Sequence, residues 1–175
     1  MSLVAQRIRL FEQARAVPYG TDGAHRGSEL LTARCGDCLA KSDYLRTEFA
    51  ALGLAVRRVR WLYHLPDSPA EVMLLPSRED VHSAVEVNID GTWVLVDATH
   101  DPALARAGFI VADWDGVTST VPAYHCAGAI WREGDSDSEP VPNAHHDEPY
   151  NPAVGKRYRD AFNQWLREVR AISEP

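Results

Sequence analysis

The chain has 175 residues, a length that suits one domain with its own hydrophobic core. Hydrophobic residues make up 45% of it and it contains five Trp, a composition typical of a folded globule and not of a disordered chain. The formal net charge of −7 argues against a general nucleic-acid binder, and no apolar run approaches the roughly 20 residues that cross a bilayer. We therefore expect neither nucleic acid nor a membrane as a partner.

The N-terminus and the cysteine content bear on the compartment. The first residues lack the succession of charged, apolar and small residues that marks a signal peptide. Three Cys in a chain without that signal favour reduced thiols and argue against a disulfide framework. We expect a cytoplasmic protein.

The N-terminal part of the chain is predicted to be helical apart from one turn. Residues 4–16 place apolar side chains at helical spacing, which predicts an amphipathic helix. Its apolar side is formed by Val4, Ile8, Phe11 and Ala14. Residues 18–23 are rich in Pro, Gly and Asp and are typical of a turn that ends this helix. A short helix is predicted over 28–33, with Leu30 and Leu31 facing inward.

A thiol stands at the start of the next predicted helix. From Cys38 onward, one face recurs at alternating spacings of four and three residues, and Gly53 supplies a usual stop. That face consists of Cys38, Ser42, Leu45, Phe49 and Leu52. Asp37 is a suitable N-cap. A helix N-terminus carries unpaired N–H groups and a partial positive charge, so it stabilises the thiolate of a Cys placed there. The nucleophile of an enzyme with this sequence would be Cys38.

After residue 54 the pattern changes to a period of two. Val59, Trp61 and Tyr63 alternate with other side chains, which predicts a strand, and residues 64–80 contain three Pro and are expected to form an irregular loop. The clearest β signal follows, because residues 81–89 alternate strictly and lead into a turn at Asp90 and Gly91. Residues 92–98 then return as the second strand of a hairpin.

The two-residue turn determines which residues of the hairpin are opposite each other. Ile89 pairs with Thr92, so Asp97 lies opposite Ala84. His82 shares the face of Ala84 and is the diagonal neighbour of Asp97, with Cα atoms roughly 7–8 Å apart. The carboxylate is therefore within reach of the imidazole, and local geometry alone predicts a His–Asp pair.

The last part of the chain is predicted to hold two short strands, a polar segment and a helix. Apolar residues at 109–111 and 124–131 predict the strands. Residues 133–150 are expected to be an acidic, Pro-rich linker or a lid, since the stretch from 133 to 149 contains six acidic residues and three Pro. Asn151 followed by Pro152 is a typical helix start. The apolar stripe of this helix consists of Tyr158, Phe162, Trp165, Leu166, Val169 and Ile172.

These parts make up a catalytic system if the N-terminus of the Cys38 helix packs against the face that carries His82. Cys38 would attack, His82 would accept its proton and later protonate the leaving group, and Asp97 would orient His82. The Cys38 backbone N–H would be one oxyanion donor. The second donor is open, with Tyr19 and His25 as candidates from the upstream segment.

Three blocks of this sequence resemble the transglutaminase-like superfamily. A G-x-C at 36–38 opens a helix that ends in Leu-Gly, an H-x-x-x-E-V strand follows at 82–87, and a G-x-W-x-x-x-D-x-T strand lies at 91–99. All three blocks occur in the order and spacing of that family, over roughly residues 30–100. The segment upstream of Cys38 departs from the family pattern, because it shows no clear Trp or Gln in the position of an oxyanion donor.

The resemblance implies an α+β fold with a papain-like core, in which the nucleophile helix packs on an antiparallel sheet. It also implies a Cys38–His82–Asp97 triad that acts on peptide or protein amide substrates. Hydrolysis, as in a cysteine protease or amidase, is expected over transglutamination because it needs no second amine site. The chemistry requires no metal or organic cofactor. We expect residues 1–132 to form the catalytic domain and the helix of residues 151–175 to pack on it, with a homodimer through that helix as a further possibility.

Two other functions fit parts of the sequence. Cys35 and Cys38 form a C-x-x-C before a helix, which is found in dithiol redox proteins, although no strand is predicted directly before it. A non-enzymatic binding module on the same fold is the other alternative. A zinc site built on the Cys pair lacks a matching second pair of ligands, since only Cys126 with His125 or the adjacent His145 and His146 are at hand.

Overall fold

The computed structural model describes residues 1–70, 72, 79–135 and 151–172. Within these ranges the fold mixes helices with an antiparallel sheet, which confirms the α+β class. The helices are α1 (Leu3–Ala16), α2 (Cys38–Ala51) and α3 (Pro152–Ala171), with 3-10 helices at Gly27–Thr32 and Pro102–Ala107. The strands are β1 (Tyr19–Ala24), β2 (Val56–His64), β3 (Glu79–Ile89), β4 (Thr92–Val96) and β5 (Trp131–Arg132).

The sheet has the order β4-β3-β2-β5, and each described neighbour pair is antiparallel. The predicted register of the hairpin is confirmed, because Ile89 pairs with Thr92 and Val85 with Val96. The turn residues Asp90 and Gly91 both have positive φ, as the tight turn requires. This register brings the end of β4 alongside the part of β3 that carries His82.

The two faces of β3 serve different cores. Val85 and Val87 point into a core shared with α1 and α2, whereas Ala84 points into a second core that α3 covers. The first core contains Leu10, Phe11, Leu45, Phe49, Val85, Val87, Val96 and Trp114, among others. The second contains Tyr19, Val59, Trp61, Tyr63, Tyr124, Phe162 and Leu166, among others.

The body of α2 packs on one face of β3, and its N-terminus lies near the other face. Ser42 of α2 meets Ser83 of β3, with the two hydroxyl oxygens 3.2 Å apart, and side chains alternate along a strand, so His82 faces the opposite side. Only the first turn of α2 reaches the His82 side. The helix N-terminus, and not the rest of the helix, therefore contributes to the site, as the sequence predicts.

The C-terminal helix packs on the rest of the chain through its apolar stripe. It begins as predicted at Asn151, whose side chain accepts hydrogen bonds from the N–H groups of Ala153 and Val154. The buried members of the stripe are Tyr158, Phe162, Leu166 and Val169. Trp165 is only partly buried and Ile172 is exposed. The helix contacts β1 and the second 3-10 helix.

The turn predicted over 18–23 is wrong, since Tyr19–Ala24 forms β1. This segment pairs with residues far along the chain, and parallel bridges join Tyr19 and Ala24 to Gly36. Gly23 permits the close approach, because a Cβ there would lie 2.1 Å from the Cys35 carbonyl oxygen. A pairing of this kind leaves no local periodicity to detect.

Three smaller predictions also need correction. Residues 109–111 form no strand, and the strand predicted at 124–131 shrinks to β5 at Trp131–Arg132. Leu31 is 51% exposed, so only Leu30 of the 3-10 helix faces inward. The loop prediction for residues 71 and 73–78 and the linker or lid prediction for residues 136–150 lie outside the described residues. Within the described ranges, no helix combines the length and the apolar character needed to cross a membrane.

Candidate active site

Cys38 is the first residue of α2, as the sequence predicts. The Asp37 carboxylate caps the helix by accepting a hydrogen bond from the Ala40 N–H at 2.8 Å. The N–H groups in the first turn of a helix have no helical carbonyl to bond, so the Cys38 N–H is available to a ligand. Cys38 is a free thiol of intermediate exposure. The thiol therefore lies at a positively polarised helix end that is open to solvent.

His82 and Asp97 form a buried pair. The Nε2 atom of His82 lies 2.8 Å from Oδ2 of Asp97, and both side chains are almost completely inaccessible to solvent. Three further hydrogen bonds hold the carboxylate, from the Thr99 hydroxyl at 2.7 Å, the Thr99 N–H at 3.2 Å and the Ala123 N–H at 2.8 Å. Asp97 is thus fixed on both oxygens and can orient the imidazole.

The electrostatics of the pair favour the charged forms of both partners. Burial alone would raise the pKa of Asp97, but the imidazolium charge and the hydrogen bonds outweigh it and lower this pKa to about 2. Burial alone would lower the pKa of His82, but the charge and hydrogen bond of Asp97, together with the Cys38 thiol, raise it to about 10. The site accordingly holds an imidazolium at neutral pH.

The second ring nitrogen of His82 is not used in a structural hydrogen bond within the described residues. Its Nδ1 atom is buried and makes no hydrogen bond of full geometry with any described residue. The Cys38 side chain is near enough to His82 to add to the raised pKa of the imidazole. Cys38, His82 and Asp97 are thus brought together in the predicted order.

Aromatic side chains enclose the His82 ring. Trp61, Tyr63 and Tyr124 all present edge-to-face contacts to His82, with ring centroids 4.7–6.0 Å apart. Burial raises the pKa values of Tyr63 and Tyr124 well above the usual range, and a thiolate at Cys38 adds to both shifts. The tyrosines near the thiol therefore remain protonated at neutral pH.

His100 packs against Tyr124. No role for it was predicted from the sequence. Its Nδ1–H donates to the Ile110 carbonyl at 2.8 Å, and its ring contacts Tyr19, Phe109 and Tyr124 edge-to-face. Burial lowers the pKa of His100 to about 4, so the ring is neutral at physiological pH. Its role is structural packing of the residues that surround the thiol.

Cys35 occupies an environment unlike that of Cys38. It is buried against Gly20 and Gly23, and its thiol donates a hydrogen bond to Oδ1 of Asp22 at 3.2 Å. Burial and the neighbouring carboxylate raise the pKa of Cys35, which disfavours a thiolate there. Of the two thiols in the C-x-x-C, only Cys38 lies beside an imidazole.

The other sequence candidates fall into structural or surface positions. The buried Glu86 of the predicted H-x-x-x-E-V strand forms ion pairs with Arg57 and Arg132. Cys126 is exposed and its thiol donates to the Gly128 carbonyl. His145 and His146 lie outside the described residues. Among the residues that are described, no group of three or more His, Cys, Asp or Glu side chains is placed to hold a metal ion.

Comparison of the chain with protein-family models, with curated proteins and with solved structures finds no match.

Proposed function

We propose that this chain is a thiol-dependent acyl-transfer enzyme with Cys38 as nucleophile, His82 as general acid and base and Asp97 as the residue that orients His82, on a papain-like, transglutaminase-like core. One observation carries the proposal. A fully buried His82–Asp97 pair leaves the other imidazole nitrogen for a thiol that stands at a helix N-terminus. Two buried charges are costly to desolvate, and a pair of this kind beside a thiol is typical of a functional site.

The proposed reaction proceeds through a thioester. The Cys38 thiolate attacks the carbonyl carbon of an amide, the carbonyl π electrons move to oxygen, and a tetrahedral oxyanion forms. Collapse of this intermediate breaks the C–N bond, and His82 gives its proton to the departing amine. Water then attacks the thioester with His82 as base, which releases a carboxylic acid and regenerates the thiol. An amine in place of water would give a new amide.

Hydrolysis is the outcome we propose, because water needs no binding site of its own. The substrate is a peptide or protein amide, and the reaction uses no cofactor. Dithiol redox chemistry is disfavoured by the carboxylate beside Cys35, because that charge opposes thiolate formation. If the chain is a binding module without activity, Cys38 should be unreactive. One measurement of its reactivity therefore distinguishes a binding module from an enzyme.

The test is the rate of iodoacetamide alkylation at each Cys as a function of pH, read by peptide mass spectrometry. The chain supplies its own controls, since Cys126 is an exposed thiol and Cys35 a buried one. We expect Cys38 to be alkylated at pH 6 on the order of 10-fold faster than Cys126, because an ordinary thiol with pKa near 8.5 is protonated there. In His82→Gln this advantage should disappear, while Cys126 reacts as before.

Equal pH dependence at Cys38 and Cys126 would contradict the enzyme and favour a binding module. Rapid formation of a disulfide between Cys35 and Cys38 under mild oxidation would instead support the redox alternative. Asp97→Asn provides a second check, because it removes the charge that favours the imidazolium and should reduce the low-pH reactivity in the same direction as His82→Gln.

A further inference from the structure

We propose that the Tyr19 hydroxyl is the second oxyanion donor of this site, acting together with the backbone N–H of Cys38. The inference rests on the proposed function, because an oxyanion forms only when Cys38 attacks a carbonyl group. It also resolves the choice between Tyr19 and His25 that the sequence leaves open.

The backbone of Tyr19 lies beside the segment that leads into Cys38. A parallel bridge joins Tyr19 to Gly36, and the Gly36 N–H donates to the Pro18 carbonyl at 3.0 Å. Bridged strands lie only about 4.8 Å apart. Tyr19 is therefore held at a constant distance from a residue two positions before the nucleophile.

The Tyr19 hydroxyl is buried and has a proton to offer. Its oxygen lies 3.4 Å from that of Tyr124, which donates to it, and each phenol carries one proton and can also accept. A pair of hydroxyl groups uses only one of its two protons. Because Tyr124 is the donor, the Tyr19 hydroxyl proton remains available to another acceptor, such as the oxyanion. Buried tyrosine hydroxyl groups usually have a hydrogen-bond partner.

The Tyr19 hydroxyl is close enough to Cys38 for a thiolate there to affect its pKa. Burial, the neighbouring Tyr124 and Tyr63, and a thiolate at Cys38 all raise the pKa of Tyr19 well above its usual range. The group consequently stays an O–H donor at any pH at which the enzyme would work. A neutral donor near the developing negative charge is the requirement for oxyanion stabilisation.

The rest of the chain holds Tyr19 rigidly, as an oxyanion donor requires. Oδ2 of Asp101 accepts from the Tyr19 N–H at 2.8 Å, and Arg170 of α3 donates both to the Tyr19 carbonyl at 2.7 Å and to Oδ2 of Asp101 at 2.6 Å. The ring packs edge-to-face on His100 and Phe162. Both backbone groups and the ring are thus immobilised before a substrate arrives.

His25 is less suited to the role. Its side chain is 59% exposed, and Nδ1 lies 2.5 Å from Oδ2 of Asp37. An exposed donor competes with water and gains less from the developing charge than a buried one. We therefore assign the role to Tyr19.

The experiment compares two reactions of the same thiol in Tyr19→Phe. Acylation by p-nitrophenyl acetate passes through a tetrahedral oxyanion and expels p-nitrophenolate, whereas alkylation by iodoacetamide displaces iodide and forms no oxyanion. We expect single-turnover acylation of Cys38 to fall on the order of 10²-fold. The rate and pH profile of alkylation should not change.

Tyr158→Phe is the matched control, because it removes a hydroxyl from another tyrosine of the same core and should leave both rates unchanged. Tyr124→Phe keeps the Tyr19 proton, so it should retain acylation within a few-fold, and this expectation still tests the proposal if Tyr19→Phe does not fold.

Loss of acylation in Tyr124→Phe but not in Tyr19→Phe would overturn the assignment. A parallel fall in alkylation would overturn it too, since the hydroxyl would then act on the thiolate. Failure of the proposed function is a separate result, in which wild type and Cys38→Ala react equally with the ester.

Discussion

At the scale of single residues, burial favours the neutral form of every titratable group in the site, and the partners of each group decide whether it is charged. The His82–Asp97 pair is charged although both side chains are buried, because each stabilises the other. His100, only a few residues along the chain, is neutral because burial lowers its pKa to about 4, and its hydrogen bond to the Ile110 carbonyl, which acts in the opposite direction, does not outweigh the burial. Two buried histidines near one thiol thus differ in charge by virtue of their partners.

The neutral state of His100 predicts a loss of stability in acid. Its pKa is about 4 in the folded chain against 6.5 when exposed, so the unfolded state binds more protons between these values. Its contribution is complete above pH 6.5 and is lost as the pH falls to 4, by roughly 3 kcal/mol. We expect urea unfolding of His100→Phe to show a decrease in stability between pH 6.5 and pH 4 that is smaller by about this amount.

The control for this measurement is His64→Phe. The His64 side chain is 70% exposed and lies 3.8 Å from Glu79 in a surface ion pair, so its replacement should change the stability by less than about 1 kcal/mol. Asp97 does not interfere, since its contribution is present above the ordinary carboxyl pKa of 3.8 and is lost only as the pH falls toward 2. If the free energy of unfolding of His100→Phe decreased between pH 6.5 and pH 4 by as much as that of wild type, His100 would not be the acid-sensitive group.

At the scale of elements, Lys41 of α2 ties together the segments that carry the site. Its side chain is buried, and its ammonium group donates to the carbonyls of Val17 at 2.6 Å, Ala98 at 3.3 Å and Arg15 at 3.5 Å. Val17 stands two residues before Tyr19, and Ala98 directly follows Asp97. One side chain thereby connects the nucleophile helix to the strand of the proposed oxyanion donor and to the end of β4.

Lys41→Met should destabilise the chain, although Met fills a similar volume. Each carbonyl left buried without a donor costs about 1–3 kcal/mol, and this loss exceeds the benefit of removing a charge whose burial lowers the pKa of Lys41 to about 7. Urea unfolding measures the difference. Lys156→Met is the control, because its exposed ion pair with Asp160 is worth less than about 1 kcal/mol. Equal stabilities of the two variants would refute the role of Lys41.

At the scale of the whole molecule, two cores share one sheet. Leu45 belongs to the core under α2, and Leu166 to the core under α3, while β3 contributes to both. Arg170 and Asn163 further join α3 to β1. We infer that the C-terminal helix belongs to the same folding unit as the site, with its apolar stripe used within the chain.

This arrangement predicts one cooperative transition. Leu45→Ala and Leu166→Ala each remove a fully buried side chain and should cost about 2–5 kcal/mol. Both should lower the midpoint of the same single thermal transition, as measured by calorimetry. Leu31→Ala should change stability by less than about 0.5 kcal/mol, since its side chain is largely exposed. Two separate transitions, each sensitive to one substitution, would show that the cores unfold independently.

The sequence by itself determined the features that depend on neighbouring residues. The Asp37 cap, the start of α3 at Asn151 and the register of the β3–β4 hairpin follow from local hydrogen bonds and side-chain periodicity. The proximity of His82 and Asp97 follows in turn from that register, and it is present as expected.

The tertiary structure alone decided what surrounds these residues. Tyr19 lies in a strand because it pairs with Gly36, Ala123 reaches Asp97 across 26 positions, and Arg170 holds Tyr19 from 151 residues away. Contacts at such separations leave no period in the sequence, because their geometry depends on how helices and sheet pack. The proposed nucleophile and base were therefore accessible to local reasoning, whereas the donor that we assign to the oxyanion emerged only from the packed fold.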